Sequence, residues 1–297
     1  MFIRGIRISS PDRLIYPQLD FSKLDLVNYY DRVADRMLPH VQDRPLTLVH
    51  CPDGLNKPCN YMRHRRVWGP DVLKRVNIAE KTKVGEYLAA VNPEGIIALA
   101  QMGIIEIHTW NSTIHDVERP NRLIWDLDPG PETHWKEIVA AAIAVRDLLE
   151  MLGLQSWVKT TGGRGIHVVA PLTPHRQWDE CLAFAKAVAE ALMATNRRLY
   201  TISFPKQGRE RKILIDYLRN NRTNTSVAAF SARARENATV SMPVSWRQVT
   251  AKLKPESFTV LTVPKKATPD PWRDYWSCKQ KISAAAFTAI TKLRKSA

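Results

Sequence analysis

Apolar positions recur along the chain with two spacings, one typical of helices and one typical of strands. Ser22 precedes apolar residues at helical spacing, with Asp25 in the first turn, which predicts a capped helix ending near Pro39. Further helices are predicted over 93–103, 134–152 and 179–192. Strands are predicted over 46–50, 86–91, 104–110, 122–128, 157–160, 166–170, 212–216 and 240–244, with 1–20 extended, 51–71 irregular and the last third rich in proline. Short strands mixed with helices, without a regular parallel alternation, predict an α+β fold.

Composition and charge narrow the class of partner. The chain has 297 residues, of which 44% are hydrophobic and 25% charged, as in a globular protein. Its formal charge of +15 indicates a polyanionic partner such as nucleic acid. No apolar run approaches the roughly 18 residues of a spanning helix, and the first residues lack the apolar core of a signal peptide, so no membrane partner is expected. The cysteines have no short paired spacing for zinc, which indicates a reducing, cytoplasmic setting: Cys51, Cys59, Cys181 and Cys278.

The strand predicted over 122–128 carries two carboxylates. Its period of two places Asp126 and Asp128 on one face and Leu127 on the other. Two adjacent anions repel one another, and a divalent cation with a preference for hard oxygen ligands, such as magnesium or manganese, removes that cost. The alternative is a pair of solvated carboxylates at a strand end.

A third carboxylate, Asp216, ends the apolar strand predicted over 212–216. Three carboxylates from two strands can hold a pair of divalent ions for in-line phosphoryl transfer, although unconnected surface aspartates remain an alternative. Arginines suited to bidentate phosphate contacts flank Asp216, and a generic basic surface explains them equally well: Arg209, Arg211, Arg219, Arg222, Arg233 and Arg235.

A glycine-rich turn is predicted between two strands at residues 161–165. Its glycines allow close approach of the backbone to a ligand, and consecutive N–H groups in such a turn can bind an anion. Thr161, Arg164 and His167 would add side-chain donors around a triphosphate. A plain glycine-rich hairpin is the alternative, and the P-loop pattern is missing from the sequence.

In order along the chain, these motifs resemble the polymerase domain of bacterial DNA ligase D. That family belongs to the archaeo-eukaryotic primase superfamily and serves non-homologous end joining. The resemblance runs nearly end to end, from Ile8-Ser-Ser-Pro-Asp-Arg13 to Asp270-Pro-Trp272. Its most specific segments are Asp126-Leu-Asp128-Pro-Gly, Thr161-Gly-Gly-Arg-Gly-Ile-His167 and Ile215-Asp216-Tyr-Leu-Arg219-Asn.

The resemblance implies a primase-polymerase fold with mostly antiparallel sheets and an RRM-like catalytic module flanked by helices. It implies one domain over 1–297, comprising a DNA-end-binding and 5′-phosphate-binding portion (1–100), a catalytic core (101–250) and a C-terminal extension packed on the core (251–297). The implied activity is template-directed primer extension and gap filling with NTPs, preferred over dNTPs, by two manganese or magnesium ions. The implied partners are DNA ends and gapped duplexes with a 5′-phosphate, the ligase and phosphoesterase domains of ligase D, and Ku, in a bacterial cytoplasm beside the nucleoid.

Residue roles follow from the same resemblance. Asp126 and Asp128 would bind both metal ions, and Asp216 the catalytic one. The nucleotide would be held by His108, Thr161, Gly163, Arg164, Gly165, His167, Arg219 and Arg235, with Tyr61 as a stacking platform. DNA and its 5′-phosphate would contact Arg13, Lys23, Arg63 and Arg233. The family usually has Ser at the position of Thr161 and Lys at that of Arg164.

Three other functions remain open at this point. A primase-like polymerase acting outside end joining would need the same carboxylates. A non-catalytic DNA-end-binding module is opposed by the three aspartates. A two-metal phosphoesterase is opposed by the lack of a His- and Asp-rich cluster in the sequence.

Overall fold

A computed structural model of the chain describes residues 1–64, 71–263 and 270–296. These residues pack as two compact units. The first comprises Met1–Val117, Thr225–Met242 and Glu256–Thr268, and the second comprises Glu118–Asn224, Pro243–Pro255 and Pro269–Ala297. The subdivision predicted at residues 100 and 250 stays a prediction.

The described residues form helices and short strands in a mixed order. The helices are α1 (Lys23–Val41), α2 (Pro93–Gln101), α3 (Trp135–Met151), α4 (Trp178–Thr195) and α5 (Ala284–Ser296). The strands are β1 (Phe2–Ile3), β2 (Ile6–Arg7), β3 (Leu14–Tyr16), β4 (Phe21–Ser22), β5 (Leu46–His50), β6 (Asn60–Met62), β7 (Leu73–Ala79), β8 (Val84–Ala90), β9 (Ile104–Thr109), β10 (Arg122–Pro129), β11 (Trp157–Thr160), β12 (Ile166–Pro171), β13 (Tyr200–Thr201), β14 (Ile213–Asp216), β15 (Ser226–Val227) and β16 (Pro243–Val244). None of the helices in these ranges is long and apolar enough to cross a membrane.

The first unit is built around α1 and a four-stranded antiparallel sheet of order β15-β9-β5-β6. Ser22 caps α1 as predicted: its side chain accepts from the Asp25 N–H, and the Asp25 carboxylate accepts from the Ser22 N–H. The helix buries an apolar stripe that includes Leu26, Val33 and Met37. This capped helix and β9 form much of the core of the unit.

The second unit contains a six-stranded sheet of order β13-β14-β10-β12-β11-β16, in which only β13 and β14 are parallel. One face of β10 carries Trp125, whose indole N–H donates to the carbonyl of Ala185 on α4. The other face carries Ile124, packed with Trp272 and Tyr275. Asp126 and Asp128 follow Ile124 on this second face. Strand alternation therefore buries Leu127 and leaves the two carboxylates together.

The predicted α+β fold with antiparallel sheets is confirmed. Strand β6 falls within the segment predicted to be irregular, and β7 and α5 were not predicted. The strand expected over 240–244 is reduced to β16, with Val240 forming only an isolated bridge.

The cysteine spacing indicated a reducing setting and gave no sign of a disulfide. Cys51 and Cys59 form a disulfide, while Cys181 and Cys278 are free. Because β6 is only three residues long and is stabilised by pairing with β5, the sequence pattern did not indicate the hairpin that brings these two cysteines together.

Candidate active site

Asp126 and Asp216 are directly paired residues on β10 and β14. Directly opposed residues share a face of an antiparallel pair, so both carboxylates point to the same side of the sheet. The guanidinium of Arg219 contacts both: its Nη2 and Nε lie 3.2 Å from Asp126 Oδ2, and its Nε lies 3.0 Å from Asp216 Oδ2. The other oxygen of Asp216 accepts from the Leu218 N–H at 2.8 Å. Two of the three predicted metal ligands therefore contact the same guanidinium group.

The two carboxylates have different electrostatic surroundings. Burial would raise the pKa of Asp126, but His167, Arg219 and Lys159 lower it overall, well below its usual range. Burial raises the pKa of Asp216 to about 6 against the opposing effect of Arg219, and Asp126 and Asp128 raise it further. A carboxyl whose pKa is raised by neighbouring carboxylates is stabilised in its charged form by an added cation.

Asp128 lies two residues beyond Asp126 and is more exposed. Its Oδ2 accepts from Nη2 of Arg209 at 2.7 Å. Beside this ion pair is a cavity of about 490 Å³, whose lining includes Gly130, Arg164 and Lys206. A β-carbon on Gly130 would lie 2.0 Å from the carbonyl oxygen of Arg209, so the turn after β10 packs closely on the segment that carries Arg209. This contact keeps Arg209 beside Asp128 and leaves a cationic cavity at the end of β10.

A row of charged and polar side chains crosses the sheet on the carboxylate face. His167 on β12 is opposite Asp126, and Lys159 on β11 is opposite His167. His167 is buried, its Nε2 lies 3.3 Å from Asp126 Oδ1, and its Nδ1 has no hydrogen-bond partner among the described residues. Burial, followed by Lys159, lowers the pKa of His167 to about 4. The imidazole is therefore neutral at pH 7 and donates from Nε2 to Asp126.

The glycine-rich turn between β11 and β12 closes on itself. The Thr161 hydroxyl donates to the Gly165 carbonyl and accepts from the Gly163 N–H, each at 3.2 Å. A β-carbon on Gly165 would lie 2.5 Å from the Leu127 carbonyl, so only glycine allows this approach to β10. Nη2 of Arg164 donates to the carbonyls of Pro131 and Thr133 at 3.1 and 3.0 Å. The turn is held against the strand that carries the two aspartates.

The carboxylate oxygens of this site suit divalent metal ions. The chain would hold such ions through only a few protein ligands. Across 1–64, 71–263 and 270–296, no three His, Cys, Asp or Glu side chains are grouped closely enough to hold a metal ion by themselves. Asp126 and Asp216 nevertheless contact one cationic group, and Asp128 follows on the same face. Hard cations that act on phosphates take few carboxylates, since phosphates and water complete their coordination.

In the first unit, His108 and Arg233 both pair with Glu106. His108 Nε2 lies 2.8 Å from Glu106 Oε2, and Arg233 Nε lies 3.1 Å from Glu106 Oε1, which also accepts from the Ala234 N–H. Burial opposes ionisation of Glu106, but His108, Arg233 and the Ala234 N–H lower its pKa to about 2. Glu106 and His108 are two positions apart on β9 and so lie on one face of that strand.

Other predicted nucleotide and DNA contacts in the first unit lie at its surface. Tyr61 is 60% exposed, its ring is edge-on to His108, and its hydroxyl is 3.2 Å from Thr225 Oγ1. Arg63 is partly buried and Arg235 is exposed. An exposed aromatic ring is suited to stacking on a base.

The predicted 5′-phosphate residues lie close to one another in the first unit. Lys23 is buried at the start of α1, with Nζ 3.4 Å from Ser9 Oγ, and Arg13 donates to the Pro52 carbonyl at 2.5 Å. Burial, followed by Arg13, lowers the pKa of Lys23. An anion bound beside these two cations would stabilise the charged form of Lys23.

Three residues of the second unit make contacts that the sequence did not indicate. Arg209 pairs with Asp128 across 81 positions, a distance that no local pattern reveals. Lys159 lies on a strand between the buried residues Val158 and Thr160. A charged residue within a buried strand is unusual, and this could have marked Lys159 as a candidate site residue. Asn220 is buried and bonds to both backbone groups of Ile124, with Ile124 N–H donating at 2.8 Å and the carbonyl accepting at 2.7 Å.

Comparisons with known proteins identify the family of this chain. The family model described as LigD, primase-polymerase domain, matches residues 22–276. The multifunctional non-homologous end joining protein LigD of Pseudomonas aeruginosa is 36% identical over 95% of this chain and 34% of its own length. The LigD protein of Mycolicibacterium smegmatis is 28% identical over 82% of this chain and 32% of its own length, so the chain spans about a third of the length of these relatives.

A solved structure supports the same assignment. The polymerase domain of Mycobacterium tuberculosis ligase D, in complex with DNA, is similar with a TM-score of 0.79 and 27% identity, covering 84% of this chain and 90% of that one. Since the family model covers most of the chain and a relative exceeds 30% identity over nearly all of it, the chain belongs to the LigD primase-polymerase family.

Proposed function

We propose that this chain is a DNA-directed nucleotidyltransferase that extends a primer 3′-hydroxyl and fills gaps under the direction of a template. It uses NTPs in preference to dNTPs and acts at broken DNA ends in non-homologous end joining. The observation that carries this proposal is the convergence of Asp126 and Asp216 on one cationic group, with Asp128 on the same face. Membership in the LigD primase-polymerase family supports it.

The three carboxylates are the residues that would hold two manganese or magnesium ions. Such ions, when bound, lower the pKa of an attacking hydroxyl and offset charge on the phosphates. The protein side chains supply position and charge, because nucleotidyl transfer needs little covalent chemistry from them. His167 keeps the Asp126 carboxylate oriented through the hydrogen bond from Nε2.

Charged groups around the carboxylates are placed to bind a triphosphate. Arg219 contacts both Asp126 and Asp216, so a phosphate beside them competes for the same guanidinium. Arg164 and Arg209 border the cavity at the end of β10. We infer that Arg219 and Arg164 donate to phosphate oxygens, with Thr161, Gly163, Gly165 and His167 shaping the site. Guanidinium groups suit this role because they can form paired hydrogen bonds to phosphate.

The first unit is proposed to bind the DNA end. Lys23 and Arg13 would bind the 5′-phosphate of the downstream strand. Lys23 is the first residue of α1, and the partial positive charge at a helix N-terminus also favours a bound anion. Arg63 and Arg233 are proposed as DNA contacts, Tyr61 as a stacking platform, and His108 and Arg235 as nucleotide contacts. The ligase and phosphoesterase domains of ligase D and Ku are the proposed partners, at the nucleoid in the bacterial cytoplasm.

Primer extension on a gapped duplex tests the proposal. The reaction compares NTP with dNTP, manganese with magnesium, and a 5′-phosphate with a 5′-hydroxyl on the downstream strand. Templated extension with manganese, faster with NTP and with a 5′-phosphate, is expected. Binding without extension under every condition would indicate a DNA-end-binding module, and synthesis that starts without a primer would indicate a primase.

A further inference from the structure

The disulfide in the first unit closes a hairpin. His50 on β5 is paired with Asn60 on β6, and the next residues outward are Cys51 and Cys59. Their Cα atoms are 4.4 Å apart, the separation of a close cross-strand pair. The strand register therefore places the two sulfurs together whether or not they are bonded.

The two sulfurs differ in accessibility. Cys51 is fully buried, and its N–H donates to the Gly103 carbonyl at 2.9 Å. Cys59 is partly exposed and follows three exposed residues, 56–58. An external thiolate can therefore reach Cys59, while Cys51 is held within the unit.

The loop that the disulfide closes is attached to the strand after Arg13. The Leu55 N–H donates to the Ile15 carbonyl at 2.9 Å, and the Gly54 N–H donates to the Cys51 carbonyl at 3.1 Å. A β-carbon on Gly54 would lie 2.2 Å from the Leu14 carbonyl, so the loop backbone lies directly on β3. Arg13 itself donates to the carbonyl of Pro52, the residue after Cys51. The position of this loop thus determines where the Arg13 guanidinium is held.

We propose that Cys51 and Cys59 form a redox-sensitive modification site, and that its oxidised form holds Arg13 in position for the 5′-phosphate of DNA. The effect on DNA rests on the proposed function, whereas the redox site itself does not. Disulfides are rare where thiols are kept reduced, and those that form there are often transient or redox-sensing. Because the partly exposed Cys59 can exchange with external thiols, the pair responds to the thiol–disulfide state around it.

Reduction of the disulfide requires an external thiol, such as glutathione or a dithiol. Its thiolate attacks the Cys59 sulfur, forms a mixed disulfide there and releases Cys51 as a thiolate, which takes up a proton. A second thiolate attacks the external sulfur of the mixed disulfide and releases the Cys59 thiolate. The products are two protein thiols and one oxidised reductant, and an external disulfide reverses both steps.

The first experiment counts thiols on the full chain after equilibration with reduced and oxidised glutathione. Alkylation in denaturant with a maleimide of known mass is expected to label two cysteines in the oxidised protein and four in the reduced protein. Cys278→Ser should lower both counts by one, and Cys59→Ser should leave three labelled cysteines in both states. Four labelled cysteines in the wild-type protein at every glutathione ratio would overturn the proposal.

The second experiment measures the loop and the DNA together. Hydrogen exchange of the Leu55 amide should be about tenfold faster in the reduced protein. The Kd for a 5′-phosphorylated recessed end, measured by fluorescence anisotropy, should be about three- to tenfold larger for the reduced protein than for the oxidised protein. In Cys59→Ser the Kd should be the same under reducing and oxidising conditions. In Cys278→Ser it should change with redox state as in the wild type. Unchanged exchange and unchanged affinity would overturn the proposal. Faster exchange with no DNA binding in either state would support the redox site and contradict the proposed function.

Discussion

Asp126 and Asp216 lie opposite each other on adjacent strands, and one guanidinium, that of Arg219, is within 3.2 Å of a carboxylate oxygen of each. The two strands come from distant parts of the chain, so the separation of the carboxylates depends on the register of β10 and β14. Anything that loosens β10 will therefore alter the carboxylate site without touching a carboxylate. This dependence gives the first prediction.

Asn220→Ala should destabilise the protein by about 3 kcal/mol, because it leaves the buried N–H and carbonyl of Ile124 without their partner. Thermal unfolding at neutral pH, followed by circular dichroism, measures the change. Asn221→Ala is the matched control, since Asn221 is the exposed neighbour of Asn220. Equal melting temperatures for the two variants would contradict the role of Asn220 as a support of β10.

Lys159→Met should raise the KM for NTP about tenfold while DNA affinity is retained. Lys159 is buried on the carboxylate face beside His167, so the variant removes positive charge where triphosphate is proposed to bind. Steady-state primer extension measures KM and kcat. Lys186→Met, at a half-exposed lysine on α4, is the control and should leave both constants unchanged. A KM equal to that of the wild type would remove Lys159 from the nucleotide site.

Glu106 should make stability depend on pH. Its pKa is lowered to about 2 in the folded protein, so its stabilising contribution is present above its ordinary pKa and declines as the pH falls toward 2. Glu106→Gln should cost on the order of 3 kcal/mol at pH 7 and less than half of that at pH 3. Urea unfolding at the two pH values measures both differences. Glu236→Gln, at an exposed position, is the control and should leave the free energy of unfolding unchanged at both pH values. If Glu106→Gln lowered the free energy of unfolding equally at pH 7 and pH 3, Glu106 would not be the source of the pH dependence.

Lys23→Ala should weaken the preference for gaps with a 5′-phosphate while extension of an open primer end continues. The cause is the loss of a buried ammonium beside Arg13. Extension rates on gaps with a 5′-phosphate and a 5′-hydroxyl give the ratio. Arg32→Ala, at an exposed site on the same helix, controls for overall charge. If Lys23→Ala kept the wild-type ratio, Lys23 would have no part in phosphate recognition.

The sequence predicted those parts of the fold in which local chemistry decides the structure. Ser22 and Asp25 mark the start of α1, and alternation along β10 places Asp126 and Asp128 on one face. These signals depend on neighbours within a few residues. The α+β class was predicted for the same reason, whereas the antiparallel sheets were implied by the resemblance to a known family.

Features that depend on distant pairing were not predictable in this way. Strand β6 has only three residues, and its register with β5 brings Cys51 to Cys59. The pairing of Arg209 with Asp128 likewise requires the folded chain. The assigned roles of the site residues and the metal ions stay predictions.

The three carboxylates are proposed to support nucleotide addition together. The most direct measurement is single-turnover extension of a gapped duplex with manganese by the wild type, Asp126→Asn and Asp216→Asn, with DNA affinity measured in parallel. We expect either substitution to lower the extension rate by at least about a thousandfold while DNA affinity changes less than about threefold. Extension by either variant at the wild-type rate would contradict this role of the carboxylates.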